Sequence, residues 1–150
     1  MKIHSRNPEQ TQKVAWEIVT TPQASDILLL NVELGAGKTT LVQHLAQAFE
    51  ISETVISPTY VIMKSYDLDA SQEPFTTFLH LDAYRIENID EMRVLGFSEL
   101  LKQKNTIMCI EWPEKIAELI LDNVIAIEIE ITDTGRRLII NAKNNQEKNR

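Results

Sequence analysis

A chain of 150 residues with 43% hydrophobic and 25% charged side chains has the size and make-up of one soluble globular domain with a real core. A formal net charge of −7 argues against direct, tight capture of a nucleic-acid backbone, which relies on Lys and Arg neutralising phosphates. No apolar run approaches the roughly 20 residues that cross a bilayer, and MKIHSRNPEQ lacks a signal peptide's apolar core, so a cytoplasmic location away from membranes is expected.

Asn7 is a good N-cap, with Pro8 at the first helical position and Gln10 at the third, a capping-box arrangement. A helix over Pro8 to Thr20 then puts Val14, Ile18, Thr11 and Ala15 on one face. Ile27 to Val32 is an apolar run broken only by Asn31, the pattern of a central strand buried on both faces. Thr39 to Glu50 carries Leu41, Val42, Leu45, Ala48 and Phe49 at helical spacing. Strands are expected at Thr54 to Ser57 and Tyr60 to Tyr66, with Pro58 between them. Phe75 to Asp82 reads as a strand antiparallel to Tyr60 to Tyr66, across a polar loop around Ala70 to Pro74.

Helical stretches follow at Ile89 to Leu95 and Ser98 to Gln103, punctuated by Gly96. Thr106 to Trp112 is a second apolar strand ending in an acid, and Glu114 to Leu121 is a short helix after Pro113. Val124 to Ile131 and Arg137 to Ala142 make a hairpin, with Asp133-Thr134-Gly135 as its turn. The single Cys109, among Ile107, Met108 and Ile110, reads as a small buried hydrophobe. The order of elements predicts one α/β three-layer domain over 1–143 with a mixed sheet including antiparallel hairpins, and a frayed polar tail over 144–150.

The chemistry concentrates in LLLNVELGAGKTTL, Leu28 to Leu41, where a glycine turn follows a strand and opens a helix. A nucleotide phosphate needs converging backbone N–H donors, a cation and a metal ligand. Gly35 and Gly37, with Leu34 and Ala36 before and between them, let the backbone curl close to the anion. Lys38 reaches the outer phosphates, the Thr39 hydroxyl binds Mg²⁺, and the amides up to Thr40 complete the cradle at a helix's positive end. The usual pattern G-x-x-x-x-G-K-[ST] has a glycine where this chain has Val32. A β-branched residue is at ease in extended backbone, so Val32 is expected to finish the strand and leave the cradle intact.

Asp82 and Glu111 each stand at the end of an apolar strand, where ligands of α/β sheets bind, and both are candidates to face the phosphates. Ser57-Pro58-Thr59-Tyr60 is a polar turn, and Tyr84 and Trp112 read more readily as packing than as stacking platforms. His80, inside an apolar run, is expected to be a satisfied core or sheet-face histidine. Arg85 and Arg136 are surface charges unless a phosphate recruits them.

Four blocks in this order resemble the TsaE (YjeE) family: Leu34-Gly35-Ala36-Gly37-Lys38-Thr39-Thr40, Ser57-Pro58-Thr59-Tyr60, His80-Leu81-Asp82-Ala83-Tyr84-Arg85 and Glu111-Trp112-Pro113. The likeness runs from Thr11 to Gly135-Arg136. Members of that family are bacterial P-loop ATPases needed to make threonylcarbamoyladenosine in tRNA. The resemblance implies that Thr39 and Glu111 hold Mg²⁺, Lys38 binds phosphate of ATP or ADP, and Asp82 is the acid needed for hydrolysis. It also implies a nucleotide-sensing loop at Ser57–Tyr60, Trp112 near the nucleotide, and Thr11 and Gly135 flanking the base. The implied partner is the TsaB–TsaD pair, through which tRNA is engaged indirectly. The chain departs from the family pattern at Val32-Glu33, where Gly-Asp is usual, and mildly at Ala83, where Leu is usual. A small P-loop metabolite kinase and a non-hydrolysing nucleotide-dependent regulator are the competing readings.

Overall fold

The computed structural model describes residues 2–20, 27–32, 38–55, 63–72, 74–120 and 124–143. In chain order these form β1 (Lys2–Ser5), α1 (Pro8–Thr20), β2 (Ile27–Val32), α2 (Lys38–Ala48), β3 (Met63–Asp67), β4 (Thr77–Asp82), α3 (Asp90–Val94), α4 (Phe97–Leu100), β5 (Thr106–Glu111), β6 (Val124–Thr132) and β7 (Gly135–Lys143). Short 3₁₀ turns occupy Ala70–Gln72 and Pro113–Leu119. No helix among the described residues is long and apolar enough to cross a membrane.

The strands form one seven-stranded sheet in the order β1-β7-β6-β2-β5-β4-β3. The centre is parallel, with β2 between β5 and β6 and β4 beside β5. Both edges are antiparallel, with the β3–β4 pair on one side and β6–β7 with β1 on the other. Alternation along β2, β4 and β5 sends their side chains to two different cores. Leu28, Leu30, Phe78, Ile107, Cys109 and Ile127 pack with Val14 and Ile18 of α1 and with Leu41, Leu45 and Phe49 beside α2. Leu79, Leu81, Met108 and Ile110 pack on the other face with Met92, Phe97 and Ile116. This is the expected three-layer α/β arrangement.

Local chemistry explains the element ends. The α1 cap forms as expected, with the Gln10 N–H donating to Asn7 Oδ1 at 2.9 Å. The reciprocal bond reaches one residue further back than a capping box, from the Arg6 N–H to Gln10 Oε1 at 2.7 Å. Helix α2 stops at Ala48, short of the expected Glu50, because Glu50 turns left-handed (φ 59°) and the Ile51 N–H closes onto Ala46 O at 3.0 Å. Strand β5 ends at Glu111 because Trp112 is also left-handed (φ 57°).

Other expectations shift. Thr54 and Val55 are irregular and not a strand, and Ser57 lies outside the described residues. The segment after Pro113 is a 3₁₀ turn kinked at Ile116 and not an α-helix, since Ile116 (φ −129°) breaks the repeat. Strand β1 has no counterpart among the expected elements: four residues carrying a lysine, a histidine and a serine give too little alternation to read.

Gly135 opens β7 at φ +150°, and a Cβ there would lie 2.4 Å from Ser5 O and 3.0 Å from the Arg6 Cα. The β6–β7 turn thus packs backbone to backbone against the β1–α1 junction, and only glycine allows it. Gly135→Ala is expected to destabilise the fold by roughly 1–3 kcal/mol through strain and overpacking. At about 2–4 °C per kcal/mol, a thermal melt checks it, and an unchanged midpoint would refute the close approach.

Candidate functional site

Strand β2 leads directly into residues 33–37, and α2 begins at Lys38, so the glycine-rich segment spans a parallel strand and a helix as its motif requires. Leu34, Gly35, Ala36 and Gly37 lie outside the described residues, as does the block Ser57–Tyr60. Thr40, half-buried, sits in the first turn of α2 behind Lys38 and Thr39. Val32 is the last residue of β2, in register with Ile129 of β6. Its backbone belongs to the sheet ladder. Val32→Gly is therefore expected to change nucleotide affinity by less than about tenfold, or roughly 1.4 kcal/mol. Isothermal titration with ADP measures this, and a large gain on substitution would mean that Val32 obstructs the cradle.

The two acids meet on one face. Asp82 and Glu111 are direct register partners at the carboxyl ends of the parallel strands β4 and β5, and Glu111 is in turn the partner of Leu30 on β2. By alternation they share the face of Phe78, Ile107, Leu28 and Leu30, the face that α1 and α2 cover. The acids are thus on the same side of the sheet as the helix that opens with Lys38. Asp82 is 7% exposed and Glu111 is fully buried. Carboxylates are kept in such places where they are hydrogen-bonded, paired or bound to metal. Asp82 Oδ1 accepts the Tyr84 N–H at 2.9 Å, which fixes the turn after β4, and the Ala83 N–H donates to Glu111 O at 3.0 Å, tying the two strand ends together.

His80 lies on this same face, 1% exposed, with its Nε2 3.5 Å from Glu111 Oε2. It is a sheet-face histidine as expected, but it is not a satisfied one. Neither ring nitrogen has a hydrogen-bond partner among the described residues: across the sheet it is flanked by Lys64 of β3 and Cys109 of β5, and the Glu111 oxygen stops short of bonding distance. Cys109, its register partner, is fully buried, and burial first and Glu111's charge second push its thiol well above the ordinary range. It is an inert packing thiol, as its apolar neighbours suggest.

Tyr84 and Trp112 bring their rings to 5.0 Å between centroids, tilted by 48°, just past the two acids. Tyr84 is about half exposed, so the pair forms an aromatic shoulder at the end of β4 and β5. At the neighbouring edge, a cavity of about 410 Å³ is lined by Ser5, Arg6, Asn7, Pro8, Ile131, Thr132, Gly135 and Arg136. It lies beyond the carboxyl end of β6, the strand paired with β2, and so at the same end of the sheet. Gly135 lines it. Thr11 does not: its side chain is buried, and its hydroxyl bonds Ser5 Oγ at 2.8 Å, bracing the cavity wall from behind.

The profile of the family described as "Threonylcarbamoyl adenosine biosynthesis protein TsaE" matches residues 5–139. The chain belongs to the TsaE family. The Rickettsia felis "tRNA threonylcarbamoyladenosine biosynthesis protein TsaE" is 35% identical over 133 residues, covering 88% of this chain and 74% of that protein. The Rickettsia conorii protein of the same name is 34% identical over 150 residues, covering 97% and 82%. A crystal structure of Bacillus subtilis YdiB matches with a TM-score of 0.72 at 26% identity, covering 97% of this chain and 86% of that one.

Membership of the TsaE family fits a P-loop nucleotide-binding protein. Among the described residues no three His, Cys, Asp or Glu side chains gather into an all-protein metal cage. A hard cation that keeps water and phosphate oxygens, with one or two protein oxygens, is what a buried Glu111 on the face of the Lys38-Thr39 helix suits. The cavity wall at Ser5, Arg6 and Asn7 escaped sequence reading, since those residues signalled only a helix cap. The glycine at position 135, in a turn that a two-residue hairpin could have closed without it, was the available clue.

Proposed function

We propose that this chain is a Mg²⁺-dependent ATPase acting in threonylcarbamoyl modification of tRNA adenosine, together with a TsaB–TsaD pair. The observation that carries the reading is the register of Asp82 against Glu111, both buried, beside the strand that feeds the glycine-rich loop and on the face of its helix. The modification itself is the process named for the Rickettsia relatives.

The roles follow from chemistry. Backbone amides from Leu34 to Thr40 cradle the phosphates, and Lys38 supplies the compensating cation. The Thr39 hydroxyl and the Glu111 carboxylate would hold Mg²⁺, which when bound would neutralise charge on the phosphate oxygens. Asp82, held by the Tyr84 N–H, orients the attacking water. The cavity by Gly135, about 410 Å³, has the size of a small-molecule site and takes the nucleoside end, with Thr11 bracing its wall. Trp112 and Tyr84, in ring contact, stand just past the two acids at the end of β4 and β5, with Trp112 packed against the core on the sheet's other face. The acidic balance of the chain suits a protein whose partners hold the tRNA.

Product analysis with radiolabelled ATP tests the assignment. The γ-phosphate is expected in inorganic phosphate. Its recovery on a metabolite would make the chain a kinase, and unchanged ATP in the presence of the partner pair would make it a non-hydrolysing regulator.

A further inference from the structure

Among the described residues, the His80 side chain is a buried polar group to which the proposed function gives no part. It is buried, and neither nitrogen is hydrogen-bonded among the described residues, a costly state for an imidazole. Among the described residues, the ionisable group that its ring faces within ion-pair range is Glu111, at 3.5 Å from Nε2 to Oε2, a few tenths of an ångström beyond a made hydrogen bond. Backbone register sets this approach: His80 opposes Cys109, and Glu111 is the next residue of β5 on the same face.

A carboxylate that binds a metal must present one oxygen and hold still, and protein donors on the other oxygen are the usual means. We propose that His80 is a positioning residue for Glu111. By closing the remaining few tenths of an ångström, its Nε2–H donates to Oε2 in the metal-loaded site, which fixes the carboxylate and presents its other oxygen to Mg²⁺. This inference rests on the proposed role of Glu111 as a metal ligand, and it gives a polar residue in an apolar strand a reason to be there.

The test is calorimetric titration of Mg²⁺ into ADP-saturated protein, paired with thermal melts of the unliganded variants. In His80→Gln the amide nitrogen reaches the place of Nε2, and Mg²⁺ affinity stays within about threefold of wild type. In His80→Asn the amide is too short to reach, and in His80→Leu there is no donor. Both lose roughly 10–100-fold in Mg²⁺ affinity while His80→Asn melts like His80→Gln. If His80→Leu fails to fold, the Asn and Gln variants decide alone. Affinity in His80→Asn equal to wild type, or an equal loss in Asn and Gln, overturns the proposal. Glu111→Gln separates the two layers. Undiminished Mg²⁺ affinity there refutes the metal role of Glu111 and His80's role with it, whereas a loss in Glu111→Gln beside an unaffected His80→Asn refutes only the positioning.

Discussion

Lys38→Ala is expected to remove most ATP and ADP binding. Lys38 opens α2 immediately after residues 33–37, which follow β2, the position from which the motif's lysine would reach a phosphate under the proposed function. A phosphate tail carries several charges, and amide donors alone do not neutralise them. Nucleotide at about 100 times its dissociation constant should stabilise the wild type by roughly 2.7 kcal/mol, a rise of about 5–11 °C in the melting midpoint at this size. In Lys38→Ala that rise should vanish while the midpoint without nucleotide stays close to wild type. A wild-type protein with no shift at millimolar ATP would count decisively against the site.

Asp82→Asn and Glu111→Gln should fail in different ways. Asp82 is assigned to the chemical step, so its amide variant should bind MgATP within about threefold of wild type and turn over roughly 10²–10⁴ times more slowly. Glu111 is assigned to the metal, so its variant should lose about tenfold or more of the Mg²⁺-dependent part of the affinity. Both substitutions keep volume. In Asp82→Asn the new side-chain carbonyl oxygen can still accept the Tyr84 N–H, so the turn after β4 should survive. Titrations with and without Mg²⁺, beside single-turnover rates, distinguish the two. Identical signatures for the two variants would remove the division of labour between the acids.

Much of this was legible in the residues. The helix over Pro8 to Thr20 and the strand over Ile27 to Val32 could be bounded to the residue, because a cap with Pro at N1 and a nearly unbroken apolar run are local signals. The two acids could be picked out because each ends an apolar strand. That they are opposite one another could not, since register is a property of pairing between strands that the chain separates by α3 and α4. The ends of α2 and β5 moved because Glu50 and Trp112 adopt left-handed backbone, a conformation that neither residue type advertises. His80 departs from expectation for a related reason: an apolar flank predicts burial, but not whether the buried ring finds a partner. The cavity at Gly135 depends on the approach of β1 and α1 to a turn near the other end of the chain, which no local pattern encodes.

Under the proposed function, ATP hydrolysis by this chain drives tRNA modification by a partner pair. Threonylcarbamoyladenosine formed on tRNA is measured with TsaB and TsaD, their threonylcarbamoyl donor and ATP, with wild-type chain, with Asp82→Asn, and with neither. Sustained, multiple-turnover modification is expected with the wild type only, and phosphate release should rise when the partner pair is present. Equal modification with and without the chain, or full activity with Asp82→Asn, would contradict it.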